Sequence, residues 1–336
     1  MSDHSKIEWT DATWNPIRGC SRVSEGCRNC YAERTAARFS GPGQPYKGLA
    51  QIVPAAQFHK FRDETPEYAG AHWSGEVRFI PELLEQPLHW RRPRKIFVNS
   101  MSDLFHEKVT TDWLDQIFAV MVVCPQHTFQ ILTKRPGKMY DYLCHVEGAR
   151  IEKHMARLRP GYGRLDWPWR NVWLGVSVED QKTADVRIPL LLQTPAAVRW
   201  VSYEPALGPV DFSAWPQRVW LRVVGDDGAA DRGRIDWVVA GGESGPGARP
   251  CHPDWIRQAR DQCQAAGVPF FFKQWGEWLF LSQLDSVLSE REKEVMLFRG
   301  GRRPGSNQIE CLRVGKKRAG ALLDGIPWRE FPAARA

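Results

Sequence analysis

Short apolar runs alternating with helix-like stretches constrain this chain more than any other feature of its sequence. The runs are Lys95–Ser100 (KIFVNS), Thr128–Thr133 (TFQILT), Val172–Val178 (VWLGVSV), Arg199–Tyr203 (RWVSY), Ile235–Ala240 (IDWVVA) and Pro269–Lys273 (PFFFK). Each is rich in β-branched or aromatic side chains and bounded by polar or turn residues, the pattern of a buried strand. Val77–Ile80 reads as a further short edge strand. Between the runs, Thr111–Val123 opens on a Thr-Asp cap and carries apolar residues at helical spacing. Asp180–Leu192 and Pro253–Ala266 show the same spacing, with Gly267 as a helix stop. Alternating strand and helix predicts a mostly parallel sheet. The expected fold class is α/β: a full or partial parallel (β/α) barrel of about six βα units with a C-terminal extension. An open doubly wound sheet is the alternative.

The 336 residues suit one such barrel plus extensions. Residues 1–280 are expected to form it, with an inserted loop region at about 40–75, where Gly, Pro and polar residues separate scattered aromatics. Gly225–Arg234 reads as a surface loop. Residues 281–336 break the rhythm and form a basic extension containing Arg299, Arg302, Arg303, Arg313, Lys316, Lys317 and Arg318. That run is either a solvated tail or a phosphate-contacting patch, within a formal net charge of +7 that permits a polyanionic partner without requiring one.

Polar residues gather where the strands end: Asn99 to Asp103, Thr133-Lys134-Arg135, Ser177-Val178-Glu179, Ser202-Tyr203-Glu204, Gly241-Gly242-Glu243-Ser244 and Lys273-Gln274. In parallel α/β folds this rim binds ligands, although capping of the following helices accounts for part of it. No apolar run is long enough to span a membrane, and Met1 to Lys6 lead into polar residues rather than a signal peptide. A cytoplasmic protein is expected, whose eight cysteines are thiols or metal ligands.

Three of those cysteines lie in Cys20-x6-Cys27-x2-Cys30, each of the first two preceded by glycine, with a helix expected over Tyr31–Phe39. Glycine lets the backbone bend so that sulfurs converge, and the helix amides favour thiolate charge. Structural zinc and cubane clusters normally take four protein ligands. A cluster on three thiolates leaves one iron open to another ligand. Zinc closed by a distant His or Cys is the alternative.

With these residues in view, the chain resembles the radical S-adenosylmethionine (radical SAM) superfamily, whose three cysteines follow the first strand of a partial α/β barrel. The resemblance implies a 4Fe-4S cluster on Cys20, Cys27 and Cys30 whose open iron binds S-adenosylmethionine, and an external electron donor. Reductive cleavage to a 5′-deoxyadenosyl radical would follow. The six-residue first gap is longer than the family's usual one. Ser100, Ser102 and Asp103 resemble the segment after the second strand in spore photoproduct lyase-like members, and Thr133 and Lys134 the Thr-Lys ending their third. Ser177 and Glu179 end the fourth strand, where the family contacts the cofactor's ribose and amino acid. The closest likeness is to a phage-associated three-Cys-motif family, through TWNPIRGC, CYAE, SMSDLFHE, LTKRP, GVSVED, SYEPALGP, GGESGPGARP and FFFKQWG.

Gly241-Gly242-Glu243 follows a later strand than the family's Gly-Gly-Glu and is assigned to the substrate side of the rim, with Glu243 as a proton acceptor or cation ligand. Lys134, Arg135, Arg249 and Lys273 suggest a phosphate-bearing substrate, and Trp73, Trp275 and Trp278 can stack on bases. These features favour DNA or RNA repair or modification; a zinc-stabilised nucleic-acid-binding protein without redox chemistry is the alternative. Cys251, after the glycine-rich rim loop, is the candidate hydrogen donor to a product radical; Cys311 is a weaker one, and Cys124, Cys144 and Cys263 read as core thiols.

Overall fold

The computed structural model describes residues 5–53, 70–162, 167–215, 219–220, 232–280, 283 and 311–333. Seven strands form one sheet in chain order: β1 (Ala12–Trp14), β2 (Lys95–Val98), β3 (Thr128–Thr133), β4 (Val172–Val178), β5 (Val198–Tyr203), β6 (Trp237–Gly241) and β7 (Phe270–Gln274). Every described pairing among them is parallel: Ala12 aligns with Ile96, Phe97 with Gln130, Ile131 with Leu174, Val201 with Val238 and Ala240 with Phe272. The α/β class and parallel sheet agree with expectation. The strand number is seven because β1, only three residues long, is too short to announce itself by periodicity. Val77–Ile80 is not an edge strand of this sheet. Its Arg78–Phe79 pairs antiparallel with Ile17–Arg18 in a separate ladder beside the cysteine motif.

The principal helices are α1 (Tyr31–Arg38), α2 (Thr111–Val122), α3 (Pro136–Cys144), α4 (Gly148–Leu158), α5 (Gln181–Gln193) and α6 (Pro253–Ala265). The cap of α2 is Thr110, whose hydroxyl accepts from the Trp113 amide at 3.3 Å. His252 caps α6 through Nδ1, Pro253 opens that helix, and Gly267 follows its end at φ 65°. Helices α3 and α4 were not predicted.

The chain divides into two compact units: residues 1–176, 189–199 and 219–233, and residues 177–188, 200–218 and 234–336. In the first, Trp14 and Phe129 meet at 5.7 Å between ring centroids and α2 buries Leu114, Ile117 and Phe118. The inserted region contributes a hairpin, Ala50–Val53 with Gly70–Trp73, whose residues pack on Ala36 and Ala37 of α1. Residues 54–69 of that insertion lie outside the described residues.

In the second unit, Trp237 packs against Trp200 and stacks on Phe331, with centroids at 5.3 and 5.2 Å. Apolar side chains of α6, Ile256, Ala259 and Cys263, are buried. The chain beyond 310 builds back onto this core. Cys311–Arg313 pairs antiparallel with Trp278–Phe280. Phe272 donates its amide to the Trp328 carbonyl and Glu330 donates to Phe270, with Phe271 and Arg329 forming an antiparallel bridge. Arg299, Arg302, Arg303 and residues 225–231 lie outside the described residues. Among the described residues no helix is long and apolar enough to cross a membrane.

Candidate metal centre

The cysteine loop leaves β1 and is fastened to the segment that leaves β2. Asn15 Oδ1 accepts from Ser100 Oγ at 3.1 Å and from the Met101 amide at 3.0 Å, and Ser102 Oγ donates to the Ile17 carbonyl at 2.9 Å. Gly19 bridges Ser102 at φ 94°, and a Cβ there would fall 2.1 Å from the Glu76 carbonyl oxygen, so only glycine fits before Cys20. Cys27 closes a single 3-10 turn, and Cys30 sits at the N-cap of α1. Buried Glu33 in the first turn of α1 accepts from Arg22 Nη2 at 2.7 Å and from the Trp73 amide at 2.8 Å, which ties helix, loop and inserted hairpin together.

The three thiols lie within one another's electrostatic reach. Burial pushes Cys20 up to about 12; Asp103 adds to the rise, Arg135 opposes it, and Cys30 and Cys27 add further. Burial also raises Cys30, while the amides of Glu33 and Ala32 at the start of α1 pull it down. As thiols the three are not closed around a common point: Cys20 Sγ donates to its neighbour's carbonyl, Ser21 O, at 3.5 Å. Among the described residues no three His, Cys, Asp or Glu side chains form a ready-made metal site. Metal binding to cysteine requires loss of the thiol proton.

A closed polar network surrounds Cys20. Asp103, buried, accepts four times: Oδ1 from the Phe105 amide at 3.0 Å and Thr133 Oγ1 at 2.7 Å, Oδ2 from the Lys134 amide and Arg135 Nη1, both at 3.1 Å. The Arg135 side chain, 7% exposed, reaches Cys20 Sγ with Nη1 at 3.9 Å, Ser21 O and Oγ with Nη2 at 3.1 and 2.7 Å, and Glu107 with Nε at 2.8 Å. His106 Nδ1 accepts from the Lys108 amide at 3.2 Å, so the neutral ring carries its proton on Nε2, 2.9 Å from Ser21 Oγ. Burial first, and Arg135 second, lower the His106 pKa.

A family model described as "Protein of unknown function (DUF5131)" matches residues 4–332. The chain belongs to the DUF5131 family. No curated protein and no solved structure matches it. The matched span takes in both units, so the cysteine loop and the second unit's strand ends described next are parts of one DUF5131 chain.

In the second unit the carboxylates at the strand ends pair with cations of the same unit. Glu179 accepts from Arg187 Nη1 at 3.2 and 3.1 Å, the same nitrogen donating to the Ser177 carbonyl at 2.6 Å, with side chains 1% and 7% exposed. Lys273 meets Glu204 at 3.1 Å, and Arg249 meets Glu243 through Nη2 at 2.9 Å and Nε at 3.0 Å. Ser177 Oγ donates to the Glu204 carbonyl at 3.1 Å. Cys251 is 1% exposed, and burial drives its thiol pKa upward. Trp275 is buried with its indole N–H on the Leu322 carbonyl, and Trp278 donates to Ala248. Trp275 is a packing residue, whereas Trp278 and Trp73 are half-buried, the latter against the α1 cluster.

The cysteine loop of the first unit carries the donors that a thiolate-held group would need. Three thiols share one loop, a guanidinium faces one sulfur, and helix amides face another. Zinc would need a fourth protein ligand, and both ring nitrogens of neighbouring His106 are engaged. Beside the loop, Asn99 at the end of β2 holds φ 57° and is 2% exposed, and neither atom of its side-chain amide has a partner. A buried amide left this way suits a polar ligand. Asn99 was noted in sequence only as one of the polar strand-end residues; Ser21, His106 and Glu107 were not singled out, although His106 and Glu107 close SMSDLFHE. Arg187 was missed because nothing in a single helix shows which face meets Glu179.

Proposed function

We propose that the protein is a radical SAM-type iron–sulfur enzyme, with a 4Fe-4S cluster on Cys20, Cys27 and Cys30 at one end of a sheet read as a partial barrel. The observation that carries the reading is the three-thiol loop set against Arg135, with His106 committed elsewhere. The chemistry such a cluster supplies when loaded is one-electron reductive cleavage of S-adenosylmethionine to methionine and a 5′-deoxyadenosyl radical. The electron comes from an external one-electron donor. The chain's own part is to hold and orient. Gly19 lets the chain pass close to the Glu76 carbonyl just before Cys20, Asn15 locks the loop to Ser100 and Met101, and Asn99 offers an amide to a polar ligand. Asp103 supports this arrangement by fixing Thr133 and Arg135, its four hydrogen bonds being filled by the protein.

The substrate class proposed is nucleic acid. Arg135, Arg249 and Lys273 are each paired with carboxylates, so phosphate contacts are assigned instead to exposed Lys316, Lys317 and Arg318. Anaerobic purification and reconstitution, followed by incubation with S-adenosylmethionine and strong reductant, should give a brown protein that releases 5′-deoxyadenosine. A colourless protein with one zinc would sink the enzyme reading. Binding of single-stranded DNA and RNA, measured against salt, should lose roughly one unit of log–log slope per phosphate contact in a K316A/K317A/R318A variant. Salt-insensitive binding, or none at low salt, removes the nucleic-acid reading.

A further inference from the structure

A guanidinium has five N–H groups and no acceptor. In Arg135 all five are accounted for within the protein. Nε–H goes to Glu107 Oε1, the two protons of Nη1 to Asp103 Oδ2 and Cys20 Sγ, and the two of Nη2 to the carbonyl and hydroxyl of Ser21. Its partners are held in turn. Asp103 is fixed by Thr133 and two further amides, and Ser21 Oγ lies 2.9 Å from His106 Nε2. The side chain is 7% exposed, so releasing it to meet a substrate phosphate would strand Asp103, itself 8% exposed at the side chain, without its counter-charge. A rim arginine read from sequence as a phosphate contact is thus committed inward, with one N–H aimed at the first cysteine of the motif.

We infer that Arg135 is a positioning residue that sets the charge environment of the Cys20 sulfur, and is not a substrate contact. The inference rests on the cluster reading above. A fixed cation beside a ligating sulfur stabilises the more negative, reduced form of a cluster, and hydrogen bonds to the sulfurs act in the same direction. Glu107 modulates this from outside: its side chain is 65% exposed, yet one oxygen holds Arg135 Nε. Removing Arg135 should make the cluster harder to reduce. Neutralising Glu107 leaves more net positive charge near Cys20 and should make it easier. A residue that merely braced the loop would not produce shifts of opposite sign.

The test uses full-length protein loaded with iron and sulfide under anaerobic conditions, with iron content and midpoint potential measured for the parent chain, Arg135→Gln, Arg135→Lys and Glu107→Gln. Arg135→Gln should raise the oxidised-to-reduced ratio at a fixed potential about tenfold, a shift of about 59 mV to more negative potential for one electron. Arg135→Lys, which keeps the charge but not the fork, should shift less in the same direction. Glu107→Gln should shift the other way. An unchanged potential in Arg135→Gln, or shifts of the same sign in Arg135→Gln and Glu107→Gln, overturns the inference while leaving the cluster in place. Should Arg135→Gln fail to hold iron, the signs of Arg135→Lys and Glu107→Gln decide, and an unmoved Glu107→Gln counts against it. A parent chain that takes up no iron overturns the cluster reading and this inference together.

Discussion

The strand ends of the two units carry the same kinds of residue and do different things with them. In the second unit, Glu179, Glu204 and Glu243 each meet a cation of the same unit: Arg187, Lys273 and Arg249. In the first, Asp103 and Arg135 also pair, but the pair is part of a network that ends on a cysteine sulfur. Both arrangements look alike in sequence, as a short apolar strand followed by charged and hydroxyl residues. Charge at a strand end therefore does not separate the proposed cluster site from a self-neutralised one. What remains after pairing differs: in the first unit three thiols and the unpartnered amide of Asn99, in the second the buried Cys251 and the unpartnered side-chain oxygen of Gln274.

The sharpest way to break this contrast is to exchange cysteines in the two units. Replacing Cys20, Cys27 or Cys30 with Ala should abolish iron loading, whereas Cys251→Ala should leave iron per chain unchanged. Iron and sulfide assays on anaerobically reconstituted protein read both. Full iron in the triple variant, or its loss in Cys251→Ala, would erase the distinction between the units.

The next effect should be on stability rather than chemistry. If the pairs of the second unit are structural, Arg187→Ala strips buried Glu179 of its guanidinium, at a cost of about 3–5 kcal/mol. Replacing both residues with apolar side chains of similar volume should recover most of that loss, because it removes the stranded charge as well. Urea unfolding of the single and double variants measures this. A single variant within about 0.5 kcal/mol of the parent would mean that the Glu179 charge finds water or another partner, and that this end of the unit is more open than its burial implies.

The contrast also marks how far sequence carried the fold and site. Six strands were legible because their runs are buried and β-rich along most of their length, as in Val198–Tyr203, where every residue is buried. β1 was not, since Ala-Thr-Trp has no period to read. Helix α3 begins Pro136-Gly137, which reads as a turn until tertiary packing buries Met139 and Leu143. The cysteine motif was legible from spacing and flanking glycines. Its surroundings were not: the Arg135 contact to Cys20 joins residues 115 positions apart, and pairing across that separation is decided by sheet register rather than local pattern. The same holds for the tail, where Trp328 to Phe331 close the second unit's core although Trp-Arg-Glu-Phe shows no strand pattern in sequence.

The smallest expected effect concerns that tail and separates its charge from its packing. Asp324 accepts from Arg257 Nη2 at 2.8 Å and Arg260 Nη1 at 2.6 Å, both on α6. Hydrogen bonding to Arg257 is the chief reason that its carboxyl titrates below the ordinary aspartate range. A folded-state pKa below the unfolded value of about 3.9 contributes stability that is fully present above that value and lost as pH falls through the folded one. Asp324 is 37% exposed, so solvent screening holds the contribution to roughly 0.2–1 kcal/mol. Asp324→Asn is the right probe because the residue sits at φ 52°, a conformation that Asn tolerates and most side chains do not. The variant should unfold slightly more easily than the parent from neutral pH down to about pH 5, and the two curves should converge below about pH 4 as the parent's carboxylate is protonated. A difference that persists unchanged to pH 2 would show that the substitution acts through the turn and not through the charge, and that the tail is held to α6 by packing alone.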